Sequence, residues 1–148
     1  MKNIRKATLQ DLEELAVLFD QYRVFYKKKS DLNAAKDFLQ ARMVNKESTI
    51  FISLQDNIIV GFVQLYPIFS STQMKRLWLL NDLFVLQTQR GKGLSVLLLE
   101  TCKQFCIETE ACGLLLETAK DNDIGNKLYP KTGFVLDTTH HYYSWEVE

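Results

Sequence analysis

Between an apolar strand and a long helical stretch stands the hexapeptide Arg90-Gly91-Lys92-Gly93-Leu94-Ser95. A helix start exposes unpaired N–H groups and a positive partial charge. Glycine lets a backbone approach a ligand closely or take left-handed angles. These residues therefore suit a pyrophosphate held on the main chain. Arg90 and Lys92 add positive charge, with side chains able to turn to solvent. A strand-to-helix turn that binds nothing has the same composition, and the hexapeptide alone does not decide between the two. It is not a Walker loop, which has a wider glycine gap and a Lys-Ser/Thr ending, nor a dinucleotide fingerprint, whose glycines are spaced differently. A second chemical feature lies just upstream. Asn81-Asp82 interrupts the apolar run from Arg76 to Val85, and polar side chains in so apolar a strand need a reason.

Other reactive side chains read as structural. Cys102 and Cys106 are four apart on a helix face shared with Leu98 and Phe105. No second ligand pair accompanies them, so they read as core thiols and no metal is expected. With Cys112 the count is odd, which suits a reducing, cytoplasmic setting better than a disulfide scaffold. His140-His141 reads as an edge feature or a dimer contact, and no nucleophile elbow supports Ser-His-Asp catalysis. The 148 residues are 47% hydrophobic and 24% charged with zero net charge, which predicts one soluble domain over 1–148. Nucleic acid is not an expected partner without a basic excess, and Lys27-Lys28-Lys29 reads as a solvated helix end. Nor is a membrane expected: the start has no apolar signal region, and no apolar run approaches the ~18 residues a span requires.

The positioning elements follow from periodicity and punctuation. Asn3 to Ala7 suits a short strand. Thr8 with Asp11 forms a capping-box pattern, and Leu12, Leu15, Ala16, Phe19, Tyr22 and Tyr26 continue at helical spacing from Leu9 to about Tyr26. A second helix is predicted from Leu32 to Val44. Thr49 to Leu54 and Ile58 to Tyr66 read as a hairpin around Gln55-Asp56-Asn57, followed by a polar loop from Pro67 to Lys75 and a strand from Arg76 to Val85. A long helix follows the glycines. Then come a strand over Leu114 to Thr118, a short helix over Asp123 to Lys131 ended by Gly133, and closing strands over Phe134 to Leu136 and His141 to Val147. The order βααβββαβαββ predicts an α/β fold with a mixed sheet, antiparallel early and crossing over once in the middle.

On these residues the chain resembles the GNAT superfamily of N-acetyltransferases. Arg90, Gly93 and Ser95 fall on that family's acetyl-CoA motif of Arg or Gln, two residues, Gly, one residue, then Gly or Ala. Ser95 departs from it at the last position, where its small side chain preserves backbone access. The likeness continues upstream through Leu80-Asn81-Asp82-Leu83-Phe84-Val85. Downstream it takes in Asp121-Asn122 and the run Asn126-Lys127-Leu128-Tyr129-Pro130-Lys131-Thr132-Gly133-Phe134. It covers nearly the whole chain. Its strand pattern is most similar to that of the polyamine and diamine acetyltransferase branch.

The resemblance implies a splayed central sheet flanked by helices, with acetyl-CoA in the V between the strand ending at Val85 and the strand starting at Leu114. It assigns the pyrophosphate to Arg90, Gly91, Lys92, Gly93, Leu94 and Ser95, and the pantetheine arm to backbone at Phe84 and Val85 and to Asn122, with Asn126 binding likewise or capping its helix. Tyr129 matches the family tyrosine beside the sulfur and is the expected acid for the leaving thiolate; packing under Phe134 is its other reading. An alkyl amine with a pKa of about 10 must lose a proton before attack. Asn81 stands where the polyamine-like branch often has glutamate and cannot accept a proton. Asp82 is the neighbouring carboxylate, and because alternate strand residues face opposite sides, a bulge is needed to re-aim either one. The proton is therefore expected to leave through a relayed water, or the amine to arrive neutral, while Asp82 binds the cationic amine, orients a water, or ties down the splayed strand. Tyr22, Arg23, Tyr26 and Tyr66 are the candidate acceptor side, since aromatic faces suit a cation. The expected function is acetyl transfer to a primary amine of a small molecule or protein by direct attack in a ternary complex, with a homodimer through the last strands compatible with the fold. The alternative is a catalytically reduced CoA-binding sensor or interaction module, motivated by Asn81.

Overall fold

In the computed structural model, which describes residues 2–148, the elements are β1 (Lys2–Lys6), α1 (Leu12–Phe25), α2 (Leu32–Val44), β2 (Thr49–Gln55), β3 (Ile58–Ser70), β4 (Lys75–Val85), α3 (Leu94–Glu108), β5 (Leu114–Leu115) and α4 (Asp123–Lys131). They fall into two compact units, one ending at Glu117 and one comprising Thr118–Glu148. The first unit is an α/β layer structure around a five-stranded mixed sheet ordered β1-β2-β3-β4-β5. Its first three pairings are antiparallel, and β4 with β5 is parallel.

Local chemistry explains most boundaries. Thr8 and Asp11 form the expected capping box, and a 3₁₀ turn at Leu9–Asp11 leads into α1. Arg5 clamps the Asp11 carboxylate with two bonds of 2.8 and 2.7 Å. The Asp31 side chain caps α2 by accepting from the Ala34 N–H at 3.1 Å. Asp56 and Asn57 both take left-handed φ angles of 50° and 64°, as a two-residue hairpin turn between twisted strands requires.

Alternation along the strands divides the core. Ile50, Ile52, Phe62 and Phe84 face α1 and α2, where they pack with Leu15, Phe19, Ala35 and Leu39. Phe51 faces the other way onto Phe105 of α3, centroid to centroid 5.3 Å. Leu98, Leu99 and Cys102 of α3 are fully buried. No helix of the described residues is long and apolar enough to cross a membrane.

Three expectations are corrected. The predicted loop from Pro67 is strand as far as Ser70, because its backbone stays paired with β4 after the pairing with β2 stops at Leu65. From there β3 has a neighbour on one side only, where a proline is tolerated. The predicted strand Leu114 to Thr118 pairs over just Leu114–Leu115. The closing strands at 134–136 and 141–147 are not formed. Instead the chain winds around Asp137, whose carboxylate accepts from the Thr139 N–H at 2.8 Å, the His140 N–H at 3.1 Å and the Tyr142 hydroxyl at 3.2 Å. Such side-chain-to-backbone bonds compete with a strand ladder.

Candidate active site

The site begins where two strands part. β4 and β5 pair only through Trp78 with Leu114 and Leu79 with Leu115, so the stretch of β4 from Leu80 to Val85 has no β5 partner. At the same point the register against β3 slips. Gln64 faces Asp82 and Leu65 faces Leu80, which makes Asn81 an inserted residue, a β-bulge. One extra residue reverses which side chains face which layer. Upstream, Trp78 faces α3, its ring 4.9 Å from Phe105 and its indole N–H donating to Thr109 Oγ1 at 2.9 Å. Downstream, Phe84 faces α1, 5.9 Å from the Tyr22 ring. Asp82 goes with Phe84. An unbroken strand would have left it with Trp78 on the α3 side.

Asp82 is only 4% exposed and Gln64 is fully buried. Gln64 Nε2 donates to Asp82 Oδ2 at 2.8 Å, and Asn81 Nδ2 donates to Oδ1 at 3.0 Å. Burial pushes the Asp82 carboxyl above its usual range, against the hydrogen bonds from Gln64, Tyr22 and Asn81 that favour the charged form. The same burial, with the Asp82 charge, pushes the Tyr66 phenol up to about 12. Tyr66 is therefore neutral at any physiological pH.

An aromatic wall flanks this carboxylate. Tyr22 meets Tyr26 edge-on at 5.0 Å, Phe25 meets Tyr26 at 5.3 Å, and Phe25 meets Phe84 at 6.2 Å. Tyr26 is half exposed, so the wall reaches solvent. Arg23 is not part of it. Its guanidinium donates to the Lys29 carbonyl at 3.3 Å and lies 3.9 Å from Asp20, in the α1–α2 connection. Phe25 and Gln64 were missed in the sequence. The signal for Gln64 was present: it is a polar residue in the apolar run Ile58 to Tyr66, the same anomaly that exposed Asn81-Asp82.

The glycine loop sits at the end of β4. Gly93 is the N-cap of α3 with φ 76°, and no side chain caps the helix. Gly91 also has φ 76°. A Cβ at either glycine would meet nothing within 4 Å, so the backbone angle requires them and the space beside them is open. The first helical bond runs from the Leu97 N–H to Gly93 O at 3.2 Å, and by helix geometry the N–H groups of Leu94, Ser95 and Val96 have no acceptor within α3. Arg90 is exposed, yet its guanidinium is anchored. Its Nε donates to the Val85 carbonyl at 3.1 Å, and its guanidinium stacks 5.0 Å from the Phe25 ring and 5.6 Å from Phe84. Lys92 Nζ donates to Gln89 Oε1 at 2.7 Å. The Phe84 and Val85 side chains are buried, which leaves their main chain as the part of them that faces the opened edge.

In the second unit, Asn122 caps α4. Its Oδ1 accepts from the Gly125 N–H at 3.1 Å and its Nδ2 donates to Thr118 Oγ1 at 2.8 Å. A Cβ at Gly125 would lie 2.5 Å from Asn122 Nδ2, so that glycine serves the cap. Asn126 Nδ2 donates to the carbonyls of Ala119 at 2.9 Å and Asn122 at 2.8 Å. Both amides thus brace the loop into α4. Tyr129 is half-buried, its ring edge-on to Phe134 at 5.8 Å. The Tyr129 carbonyl accepts from the Phe134 N–H at 3.0 Å across Gly133, which has φ 89°.

An opened strand edge followed by an uncapped helix start suits a long phosphorylated carrier, and a buried carboxylate facing away from that layer suits proton transfer. The family description "Acetyltransferase (GNAT) family" matches residues 10–134. The chain is 43% identical to the uncharacterized N-acetyltransferase YhfO of Bacillus subtilis over 98% of its length and 97% of that protein's. It is 34% identical to a probable acetyltransferase of Haemophilus influenzae, over 85% of this chain and 90% of the other. The crystal structure of a probable acetyltransferase, 38% identical, superposes with a TM-score of 0.95 over 99% of this chain and 98% of that one. The chain belongs to the GNAT family and is an N-acetyltransferase.

Proposed function

We propose that the chain, working as one N-acetyltransferase domain over 1–148, transfers the acetyl group of acetyl-CoA to a cationic primary amine by direct attack. Polyamines and diamines are the favoured acceptors among small-molecule and protein amines. The observation that carries this reading is Asp82: a 4% exposed carboxylate, turned by a bulge toward an aromatic wall. Burial raises its proton affinity, which suits a base that must deprotonate an ammonium, directly or through a water. Asn81 supports that carboxylate as a donor and takes no proton itself. The rings of Tyr22, Tyr26 and Phe25 attract the cation before it is neutralised, with Tyr66 as a further neutral contact.

The residues present fit the cosubstrate. Gly91 and Gly93 hold left-handed angles beside open space, and α3 starts without a side-chain cap. The main chain from Gly91 to Ser95 would hold the pyrophosphate, with charge from Arg90 and Lys92. The backbone of Phe84 and Val85 would hold the pantetheine arm, with Asn122 and Asn126 as further contacts. Acetyl-CoA supplies the activated acetyl group and the leaving thiolate. Tyr129 is the proposed acid, its hydroxyl giving a proton to that sulfur. Direct transfer agrees with the thiols of α3: burial pushes Cys102 up to about 12 and Cys106 up to about 11, so neither is a nucleophilic thiolate near neutrality.

A second reading, a CoA-binding module with reduced catalysis, draws on Asn81 in the place where the polyamine-like branch often has glutamate. Asp82 favours the enzyme. A cytoplasmic setting and a homodimer complete the proposal. Calorimetry with acetyl-CoA and CoA, beside NAD and ATP, tests the cosubstrate: micromolar binding of the two CoA forms alone is expected, and no binding of either overturns it. Turnover on a panel of diamines, polyamines, amino acids and peptides then separates enzyme from sensor.

A further inference from the structure

We propose that Gln64 is a positioning residue of the transfer reaction, acting through Asp82: its amide N–H holds the carboxylate in the orientation set by the bulge and keeps it in its proton-accepting form. The inference rests on the reading of Asp82 as the base.

The geometry is specific. Gln64 is the register partner of Asp82 on the strand opposite the bulge, and its Nε2 reaches Oδ2 at 2.8 Å. The amide has one sensible orientation, because turning it over would set a carbonyl oxygen against a carboxylate oxygen. That orientation leaves Gln64 Oε1 buried with no hydrogen-bond partner in the structure. The rest of the β3 core segment Ile59 to Leu65 is apolar or glycine, so an amide at position 64 stands out against its neighbours. Its side chain bonds the Asp82 carboxylate and the Tyr66 phenol, so the polar groups that this glutamine serves are those of the site.

The groups around Asp82 sharpen the expectation. The Tyr22 phenol of α1 bonds Asp82, the Tyr66 phenol of β3 feels the Asp82 charge, and Arg42 of α2 acts on Tyr66. Among the described residues Asp82 forms no salt bridge. Neutral donors alone stabilise its charge, and Gln64 contributes the largest of those hydrogen bonds. Without that donor, the carboxylate protonates at a higher pH.

The test is the pH dependence of kcat/KM for wild type, Gln64→Met, Gln64→Glu and Asp82→Asn with acetyl-CoA and the best amine of the panel. Gln64→Met preserves volume and removes the donor. Its acid limb is expected to move up by about one pH unit or more, with acetyl-CoA KM unchanged and kcat recovering above the limb. Gln64→Glu, which sets a second carboxyl against the first, is expected to move the limb further, and it decides the matter if the methionine variant does not fold. Loss of activity at all pH values with an unmoved limb would show that Gln64 is merely structural and overturns the inference. The two readings fail differently. An acid limb that survives Asp82→Asn removes Asp82 as the base; a limb lost in Asp82→Asn but unmoved in both Gln64 variants removes Gln64 alone.

Discussion

Arg90 donates its Nε to the Val85 carbonyl at 3.1 Å, so the charged residue of the glycine loop is anchored to the last residue of β4. The same guanidinium lies over the rings of Phe25 and Phe84. One planar cation thus joins the loop, the strand end and the aromatic wall. Arg90→Lys keeps the charge and loses the stacked plane. It is expected to weaken acetyl-CoA binding several-fold and to lower the melting temperature by a few degrees, because a cation–π contact contributes about 0.5–1 kcal/mol. Calorimetry and thermal melting check both; an unchanged dissociation constant removes Arg90 from the cosubstrate site.

Gly93→Ala places a Cβ in open space but on a left-handed residue. The backbone cost is about 1–2 kcal/mol. The expected result is a lower melting temperature together with at least tenfold weaker acetyl-CoA binding, as the helix start shifts. A destabilised variant that binds normally would make the glycine purely architectural.

Asp82→Asn separates stability from activity. The folded carboxyl has a raised proton affinity, so the folded state holds its proton more tightly than the unfolded state does. Stability from this group is greatest at low pH and falls as pH rises from the unfolded value of about 3.9 through the higher folded value. The amide has no such loss. At neutral pH the variant is expected to melt at or above the wild-type temperature while losing about 100-fold in kcat/KM. A less stable variant would mean that the charge supports the fold.

Tyr129→Phe keeps the edge-on contact with Phe134 and removes only the hydroxyl. Acetyl-CoA affinity should hold while kcat falls about 100-fold or more. Equal losses in both would point to packing instead of proton donation.

Arg5 and two bonds at Thr8 hold the Asp11 carboxyl down at about 2. Here the sign is opposite to that of Asp82: the stability is present above the unfolded value of about 3.9 and is lost as pH falls toward 2. Solvent screening limits it to about 1 kcal/mol. Arg5→Ala should therefore melt a few degrees lower at pH 7 and show almost no difference near pH 2, as followed by circular dichroism.

Much of this molecule is local in origin, and so was legible in the sequence. The Thr8–Asp11 box, the Asp56-Asn57 turn and the glycines before α3 each act over a few residues, and the observed boundaries of α2 and α4 coincide with those expected. The glycine loop was equally visible, because left-handed glycines before a helix start are written in consecutive residues. Which way Asp82 points was not. Its direction depends on a slip against β3, whose Gln64 lies eighteen positions away in sequence and is reached only by strand pairing. The partners of Arg90 were likewise not legible: folding brings Phe25 and Phe84 to its guanidinium. The closing strands have the alternation of strands, but a strand exists only when another backbone answers its hydrogen bonds, and within the second unit Asp137 supplies a local alternative instead. Chain-local hydrogen bonding and backbone angles determined the elements. Pairing register and packing decided where the carboxylate, the cation and the rings came together.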